Sequence, residues 1–397
     1  STAVRQNIPR CLRRGASILI KWSDMANPFT LRVIPPRFPF CNRATELKEL
    51  YSHADNKANV VLFSPRRYGK TSLIRRLQAD LSNKGFFTFY IDFFMATSEN
   101  EIARRISQSI YSVLHKRESL LNKGVRFLKT FKTFRPVFKP SHESGFSFSV
   151  EPVSSIMPGI DLINNVMEEL GIFIRKESIN AHIVFDEFQE ISELKKSSIE
   201  GVLRRHIQEQ QASYFFVGSR RRILLDMFNK KNRPFYQSAI MYPLKTLPDK
   251  ELVSFLVERF KDGRKSCPIR VAEKISEKVL QYPYYAQALA YNIFEISGDT
   301  VSEDDIQSGF NNMLASERYG YEAVVQGLTG PQIALLKALA VDPVSKILSA
   351  EYMKRYRLSA GGIQYARNKL EKLDLIEKHN NIWKMVDPVF GCWLAGY

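Results

Sequence analysis

The chain has 397 residues, of which 44% are hydrophobic and 25% charged, so it can fill two or three domains and is not expected to be wholly disordered. Its net charge of +17 favours a polyanionic partner, such as nucleic acid, a nucleotide or an acidic membrane surface, over a merely soluble basic surface. The four cysteines form no C-x-x-C pair and no apolar run reaches the roughly 18 residues of a membrane span, so we expect no zinc or disulfide framework and a cytoplasmic protein without a membrane span.

The first predicted elements are a strand, a loop and a helix. Residues 1–24 come before Met25, and we expect them to be an extension upstream of the natural start. The run "NVVLF" at 59–63 has the β-branched content of a buried strand, and apolar residues recur at helical spacing from Leu73 to Leu81. The segment between them, "SPRRYGKT", therefore lies where a phosphate-binding loop is required.

Strands and helices continue to alternate through the N-terminal half. We predict strands at 86–94, 182–187 and 214–219, and helices at 102–114 and 160–175. This alternation predicts an α/β fold, a P-loop NTPase parallel sheet with helices on both faces.

The C-terminal half has a different pattern. Four successive helices from Pro248 onward predict an all-α lid. Beyond Leu328, three helices and a two-stranded hairpin, turned by Asn380 and Asn381, predict a winged-helix domain. The predicted divisions are the extension at 1–24, the ATPase core at 25–247 with a basic aromatic insertion at 116–150, the lid at 248–325 and the winged-helix domain at 326–397.

The loop matches the phosphate-binding pattern G-x-x-x-x-G-K-[ST], except that Ser64 replaces the first glycine. In such loops the second glycine lets the backbone approach the phosphates, the lysine reaches the β- and γ-phosphates, and the last hydroxyl binds Mg²⁺. The first glycine mainly shapes the entry to the loop, so we expect serine to be tolerated. The alternative is an ordinary helix start with a solvated lysine. The predicted ATP-binding residues are Ser64, Pro65, Arg66, Arg67, Tyr68, Gly69, Lys70, Thr71 and Ser72.

Two acidic residues end the predicted strand "HIVFDE". The strand delivers Asp186 and Glu187 to its carboxyl end, where ligands bind in open α/β sheets. We expect Asp186 and Thr71 to hold Mg²⁺, and Glu187 to polarise the attacking water. The alternative is a solvated acidic pair.

The next strand ends in a hydroxyl followed by three arginines. Ser219 is a candidate contact for the γ-phosphate or the lytic water. One of Arg220, Arg221 and Arg222 is a candidate sensor of phosphate charge, and we take Arg220 as the catalytic candidate. The alternative is a solvated basic helix start.

These stretches, with "FCNRATELKEL", "RPFYQSA", "YPYYAQAL" and "VDPVFGCWL", resemble the archaeal-type ATPase family in the STAND branch of the AAA+ P-loop ATPases, over residues 40–394. The resemblance implies an ATP-hydrolysing core, a helical lid and a C-terminal winged helix. It also implies that "DEFQ" ends the magnesium strand, that Pro283 kinks the lid toward the nucleotide, and that the protein is a nucleotide-controlled switch with slow hydrolysis.

Two surfaces are candidates for contact with a polyanion. Residues 116–139 interleave basic residues with Phe127, Phe131, Phe134 and Phe138, which fits a single-strand groove, a membrane contact, or an insertion whose rings pack on the sheet.

The second surface is the third helix and the wing of the winged-helix domain. Spacing predicts a buried face at Ile363, Ala366, Leu370 and Leu373, which leaves a polar face for a DNA groove. The alternative is a winged helix that packs or contacts protein. The predicted DNA contacts are Gln364, Arg367, Asn368, Lys369, Lys378 and Lys384.

The sequence therefore predicts a Mg²⁺-dependent ATP-binding and hydrolysing switch that acts with DNA. One alternative is a signalling or scaffold ATPase whose winged helix binds protein, and another is a pseudo-enzyme that binds nucleotide without turnover. The expected partners are ATP and, as candidates, DNA, other proteins or a second copy of the chain.

Overall fold

The structure is a computed structural model that describes residues 27–41, 43–121, 130–141, 145–194 and 198–396, so the predicted extension at 1–24 lies outside the described residues. The strands are β1 (Val60–Phe63), β2 (Phe87–Asp92), β3 (Phe134–Ser141), β4 (Gly145–Pro152), β5 (Ala181–Asp186), β6 (Ser213–Gly218), β7 (Ile240–Pro243), β8 (Ile376–His379) and β9 (Ile382–Met385). The α-helices are α1 (Ala44–Asp55), α2 (Lys70–Asn83), α3 (Glu99–Leu121), α4 (Gly159–Lys176), α5 (Ile199–Glu209), α6 (Arg221–Asn229), α7 (Asp249–Asp262), α8 (Ile269–Lys278), α9 (Pro283–Ile296), α10 (Glu303–Gln326), α11 (Gly330–Val341), α12 (Ala350–Arg355), α13 (Ala360–Lys372) and α14 (Pro388–Ala395).

Within the described residues, five strands form one parallel sheet in the order β2–β5–β6–β1–β7. Successive residues of a strand point to opposite faces, so Val184 packs with α1 and α2 on one face. Its neighbours Ile183 and Phe185 pack with α3, α4 and α5 on the other. The predicted parallel sheet with helices on both faces is confirmed.

The order of the strands brings three loops together. Strand β6 pairs with β1 on one side and with β5 on the other. Parallel strands point the same way. The phosphate loop after β1, the carboxylates that end β5 and Ser219 after β6 therefore meet at the carboxyl ends of the strands. Strand β7 was not predicted, because its apolar run is short and ends at Pro243, and its four residues are partly or fully exposed.

The basic aromatic insertion contains an antiparallel hairpin of β3 and β4 that the sequence did not predict. The side chains of Phe131 and Phe134 are buried in the sheet's hydrophobic core. The Tyr111 hydroxyl donates a hydrogen bond to Phe134 O at 2.6 Å and lies 3.3 Å from Phe131 O. These two rings therefore pack inside the protein, whereas Phe127 and the side chain of Phe138 lie outside what the structure describes.

The lid comprises α7 to α10, and the winged-helix domain comprises α11 to α14 with β8 and β9. Asn380 and Asn381 have φ of 47° and 64°, the positive angles of a two-residue hairpin turn, as predicted. The prediction for Leu373 was wrong: it is 44% exposed, because α13 ends at Lys372 and the chain turns away there.

Helix α10 continues from the lid into the winged-helix domain. Met313 belongs to the hydrophobic core of the lid and Tyr321 to that of the winged helix. The division at 325/326 falls at the end of this shared helix, and the domain boundaries given above stay predictions.

Ion pairs fasten the winged-helix domain to the ATPase core. The Arg221 guanidinium, at the start of α6, lies 2.9 Å from Asp374 and 2.5 Å from Glu377. Arg222 lies 2.6 Å from Glu371. The first two pairs are mostly shielded from solvent, so they are screened less by salt than exposed pairs.

We expect Phe235→Ala to lower the free energy of unfolding by about 3–5 kcal/mol, because a fully buried ring would leave a cavity. Phe235 is 0% exposed and packs against Phe188, Phe216 and Phe228. Urea unfolding followed by circular dichroism measures the change. Ile156→Ala is the control, since Ile156 is 91% exposed and its truncation should cost no more than about 0.5 kcal/mol. Equal effects of the two variants would contradict the described core.

Candidate nucleotide site

The phosphate loop joins β1 to α2 and has the backbone shape that a phosphate cradle needs. Gly69 has φ of +82° and occupies the N-cap of α2. A Cβ built there would meet no other atom within 4 Å, so the backbone angle and the approach of a phosphate call for glycine, and packing does not.

The Lys70 ammonium group is buried and faces the carbonyl oxygens of the loop. It donates hydrogen bonds to Ser64 O at 3.0 Å and to Pro65 O at 2.9 Å. Burial lowers the pKa of Lys70 to about 8, although the negative charges of Glu187 and Asp186 act against this shift. A phosphate anion would therefore find a preorganised cation here.

Ser64, at the position of the first glycine, fits inside the loop. Its side chain is buried, and its hydroxyl donates to Pro65 O at 3.2 Å and accepts from the Lys70 ammonium at 3.3 Å. The serine therefore helps to hold the lysine, which explains why it can replace glycine.

The other loop residues connect the loop to its neighbours. The Tyr282 hydroxyl donates to Arg66 O at 2.8 Å, and the rings of Tyr68 and Tyr282 meet edge to face with centroids 4.6 Å apart. The Ser72 hydroxyl accepts a hydrogen bond from Ile34 N at 3.1 Å. The loop is thus held by the lid on one side and by the N-terminal segment on the other.

Asp186 and Glu187 lie at the end of β5, beside the loop. The Tyr90 hydroxyl donates to Asp186 Oδ2, and Glu187 N donates to Asp186 Oδ1 at 2.9 Å. Burial raises the pKa of Asp186. The Glu187 carboxylate accepts from the Ser219 hydroxyl at 3.1 and 3.2 Å and from the Gln189 amide. The predicted pair and the predicted hydroxyl are therefore in direct contact.

The three arginines after β6 bind carboxylates. Arg220 lies 3.2 Å from Glu193 and 3.6 Å from Glu190, while Arg221 and Arg222 contact the winged-helix domain. The role of Arg220 as phosphate sensor stays a prediction, since its guanidinium would have to leave these two glutamates.

A cavity of about 410 Å³ unites most of the predicted residues, but Ser64, Pro65 and Arg220 do not line it. Besides the loop, Asp186, Glu187 and Ser219, apolar residues of the segment 30–34 and of the lid line it. The sequence did not predict this apolar side, for which the Pro-rich run "VIPPRFPF" at residues 33–40 was the one available signal. Pro283 was expected to kink the lid; it occupies the first turn of α9, where proline fits without a kink. The additional lining residues are Thr30, Leu31, Arg32, Val33, Ile34, Phe40, Cys41, Arg43, Phe94, Leu247, Pro283, Tyr284 and Gln287.

The polar end of the cavity fits Mg²⁺. Thr71 and Asp186 line the same cavity. Mg²⁺ is usually held by one or two protein oxygen ligands together with phosphates and water, and these two side chains would supply such oxygens. Among the described residues, no group of three or more His, Cys, Asp and Glu side chains is arranged to hold a metal on its own. The ion would therefore be bound jointly by the protein and a nucleotide.

The predicted DNA contacts are placed unevenly. Gln364, Asn368, Lys369 and Lys378 are exposed. Arg367 is half-buried, with its guanidinium 5.8 Å from the centre of the Trp383 ring. The remaining candidate, Lys384, is half-buried and lies 3.4 Å from Glu377, on the side of the wing that faces the ATPase core.

The parallel sheet, the phosphate loop and the acidic end of β5 define a P-loop ATPase. Residues 40–282 match the model of a family described as an ATPase domain predominantly from Archaea, and residues 319–396 match a probable winged helix domain. The chain belongs to this family of mainly archaeal ATPases, so the family and the ATPase assignment predicted from its motifs are confirmed, whereas its placement in the STAND branch stays a prediction.

Solved structures share the fold. A Walker-type ATPase of Pyrococcus abyssi is 18% identical, with a TM-score of 0.68, and the match covers 92% of this chain and 99% of that one. The ORC2 protein of Aeropyrum pernix, in ADPNP–ADP complexes, is 15% identical, with a TM-score of 0.57 and coverage of 93% and 97%. A search among curated proteins found no significant match. No helix in the described part of the chain is long and apolar enough to cross a membrane.

We expect Lys70→Ala to abolish measurable ATP binding, because the variant loses the buried cation that faces the phosphates. Calorimetric titration with ATP measures this. Lys48→Ala is the matched control, since Lys48 is exposed on α1 and should leave the affinity unchanged. ATP affinity that survives Lys70→Ala would show that the loop is not the phosphate site.

Proposed function

We propose that this ATPase is a Mg²⁺-dependent molecular switch of the AAA+/STAND type that acts with DNA in the cytoplasm. The observation that carries the catalytic part of the proposal is that Lys70, Thr71, Asp186, Glu187 and Ser219 line one cavity. The nucleotides in the ORC2 complexes support ATP as the ligand.

The residues of the cavity have separable roles in hydrolysis. The backbone N–H groups that precede α2 and the Lys70 ammonium would bind the phosphates, and the Glu187 carboxylate would accept a proton from the attacking water. Mg²⁺, when bound, would neutralise charge on the phosphates, with Thr71 and Asp186 holding it. Ser219 would orient Glu187 through the hydrogen bonds at 3.1 and 3.2 Å.

Slow hydrolysis is consistent with the partners of Glu187. Its carboxylate already accepts hydrogen bonds from Ser219 and Gln189, so an attacking water would compete with these donors for the carboxylate oxygens. A base held in this way suits a protein that remains in the ATP state for a long time.

The phosphate loop is connected to the winged-helix domain through Arg67. Its guanidinium donates to the Tyr285 hydroxyl at 3.0 Å and lies 2.9 Å from Glu317, both in the lid. The Tyr285 hydroxyl in turn donates to Asp387 at 2.5 Å. Asp387 is the N-cap of α14, where it accepts hydrogen bonds from two backbone N–H groups. A nucleotide that moves the loop would therefore disturb a winged-helix cap.

A second connection begins at Ser219. Two residues further along the chain, Arg221 binds Asp374 and Glu377 of the winged-helix domain. Movement of Ser219 toward a γ-phosphate would pull on these ion pairs. Two connections from the nucleotide cavity to one domain support a switch whose output is the position of the winged helix.

DNA is the partner that the charge and the exposed helix face favour. The net charge is +17, and Gln364 and Asn368 lie one turn apart on the exposed side of α13. A protein partner for the winged helix is the second candidate. Within this chain the domain already contacts a protein surface, that of the ATPase core, through Glu371 and Asp374.

Glu187→Gln should reduce ATP turnover by about 10²–10⁴-fold while ATP binding persists, because it removes the proton acceptor and keeps the shape. Single-turnover hydrolysis and calorimetric titration measure the two quantities separately. Glu49→Gln is the control, since Glu49 is exposed on α1. Equal turnover in Glu187→Gln and the parent would mean that Glu187 is not the base, which favours the pseudo-enzyme alternative if both rates are at background.

DNA binding through phosphates should weaken with salt. We expect the slope of log affinity against log salt for duplex DNA to fall in magnitude by about 0.9 in Lys378→Ala, if its amine neutralises one phosphate. Fluorescence anisotropy over a range of salt concentrations measures the slope. Lys337→Ala is the control on the exposed face of α11 and should keep the parent slope. A flat salt response in the parent would favour the protein-binding alternative.

A further inference from the structure

Tyr90 makes a hydrogen bond to the carboxylate expected at the magnesium site. Its hydroxyl donates to Asp186 Oδ2, and nothing in the loop or strand motifs points to this residue. We propose that Tyr90 is a positioning residue for Mg²⁺ binding, which holds the Asp186 carboxylate in the orientation that receives the ion. The inference rests on the proposed Mg²⁺-dependent ATP site.

The backbone at Tyr90 is held by side chains of two helices, α2 and α3. Tyr90 is on β2, the edge strand, and pairs with Val184 of β5. An edge strand leaves backbone groups without a neighbouring strand. Here Tyr90 N donates to the Ser109 hydroxyl of α3 at 3.2 Å, and the Gln78 amide of α2 donates to Phe89 O at 2.9 Å. Side chains of two helices thus hold the strand at the point from which the tyrosine projects.

The ring is held as well as the backbone. The guanidinium carbon of Arg75 lies 3.6 Å from the centre of the Tyr90 ring, a short distance for a cation–π contact. Arg75 is four residues after Thr71, on the same side of α2. Helix α2, which carries Thr71, therefore also fixes the Tyr90 ring. The hydroxyl of that ring in turn holds the Asp186 carboxylate.

A neutral donor suits this task better than a charged one. A lysine or arginine at this place would neutralise Asp186, whereas a phenol leaves its negative charge available to the ion. A tyrosine hydroxyl ordinarily keeps its proton near neutral pH, so it can donate to a carboxylate. With one bond from Tyr90 and one from Glu187 N, the carboxylate retains two of its roughly four acceptor positions for Mg²⁺ or its waters.

A second carboxylate near Tyr90, that of Asp92, is directed elsewhere. Asp92 ends β2 opposite Asp186 in the register of the sheet, but its Oδ1 accepts from Phe94 N at 2.8 Å. Asp92 is exposed and does not line the nucleotide cavity. Asp186 is therefore the carboxylate that the Tyr90 hydroxyl can orient toward the phosphates.

The test is the gain in ATP affinity that Mg²⁺ provides, measured as the ratio of the dissociation constants of a fluorescent ATP analogue in EDTA and in Mg²⁺. Tyr90→Phe keeps the ring and removes the hydroxyl, and we expect the gain to fall about 10-fold with the EDTA affinity unchanged. Tyr242→Phe is the matched control. The Tyr242 hydroxyl, on β7, donates a hydrogen bond to Glu49 at 2.6 Å, and neither residue lines the nucleotide cavity, so this variant should keep the full gain.

A double-mutant cycle shows whether the hydroxyl acts through Asp186. Asp186→Ala should remove most of the gain, and adding Tyr90→Phe to it should cause no further loss. A similar further loss in the double variant, or an unchanged gain in Tyr90→Phe, would overturn the inference. If the parent protein itself shows no Mg²⁺-dependent gain in ATP affinity, the result contradicts the proposed Mg²⁺-dependent function and not only the role of Tyr90.

A second variant keeps the test decisive if Tyr90→Phe folds poorly. Arg75→Gln leaves the hydroxyl in place and removes the cation over the ring, and we expect a smaller fall of the gain in the same direction. Thermal unfolding by circular dichroism establishes that each variant is folded. A folded Arg75→Gln with the full gain, together with an unstable Tyr90→Phe, would assign Tyr90 a purely structural role.

Discussion

The buried ammonium of Lys70 is the charge around which the nucleotide cavity is organised. Removing it from water is costly, and its lowered pKa reflects that cost. Loop carbonyl oxygens 2.9 and 3.0 Å away, and the carboxylates that end β5, compensate it in part. These groups meet only because β1, β6 and β5 are neighbours in one parallel sheet. Strand order, loop shape and charge balance are therefore one constraint, and the proposed ligand, a triphosphate with Mg²⁺, would complete it.

The loop is also the junction of the three parts of the chain. The lid contacts it through the Tyr282 hydroxyl and through Tyr284 N, which donates to Arg67 O at 3.3 Å. Arg67 adds its contacts with Tyr285 and Glu317. This arrangement gives a physical reason for the positive φ of 68° at Arg67, a conformation that persists in a side-chain-bearing residue only when its surroundings hold it. In the proposed switch, these residues would link nucleotide binding to the arrangement of the domains.

The sequence predicted the parts of the site that depend on local order along the chain. Gly69 and Asp186 could be found because a strand, a loop and a helix follow one another with recognisable residues. Contacts between distant segments left no such pattern. Neither the pairing of the arginines after Ser219 with glutamates and the winged helix, nor the apolar lining from residues 30–34, could be predicted, because each depends on how separate elements pack. Tyr90 was missed for the same reason: in the sequence it is one aromatic residue in an apolar strand.

A crystal structure of the protein with Mg²⁺ and a non-hydrolysable ATP analogue tests the central claim most directly. The account predicts that the triphosphate lies in the loop from Ser64 to Thr71, that the Lys70 ammonium contacts its oxygens, and that the ion lies between Thr71 and Asp186. Nucleotide bound elsewhere in the molecule, or phosphates in the loop with the ion and both acidic residues on another side, would contradict it.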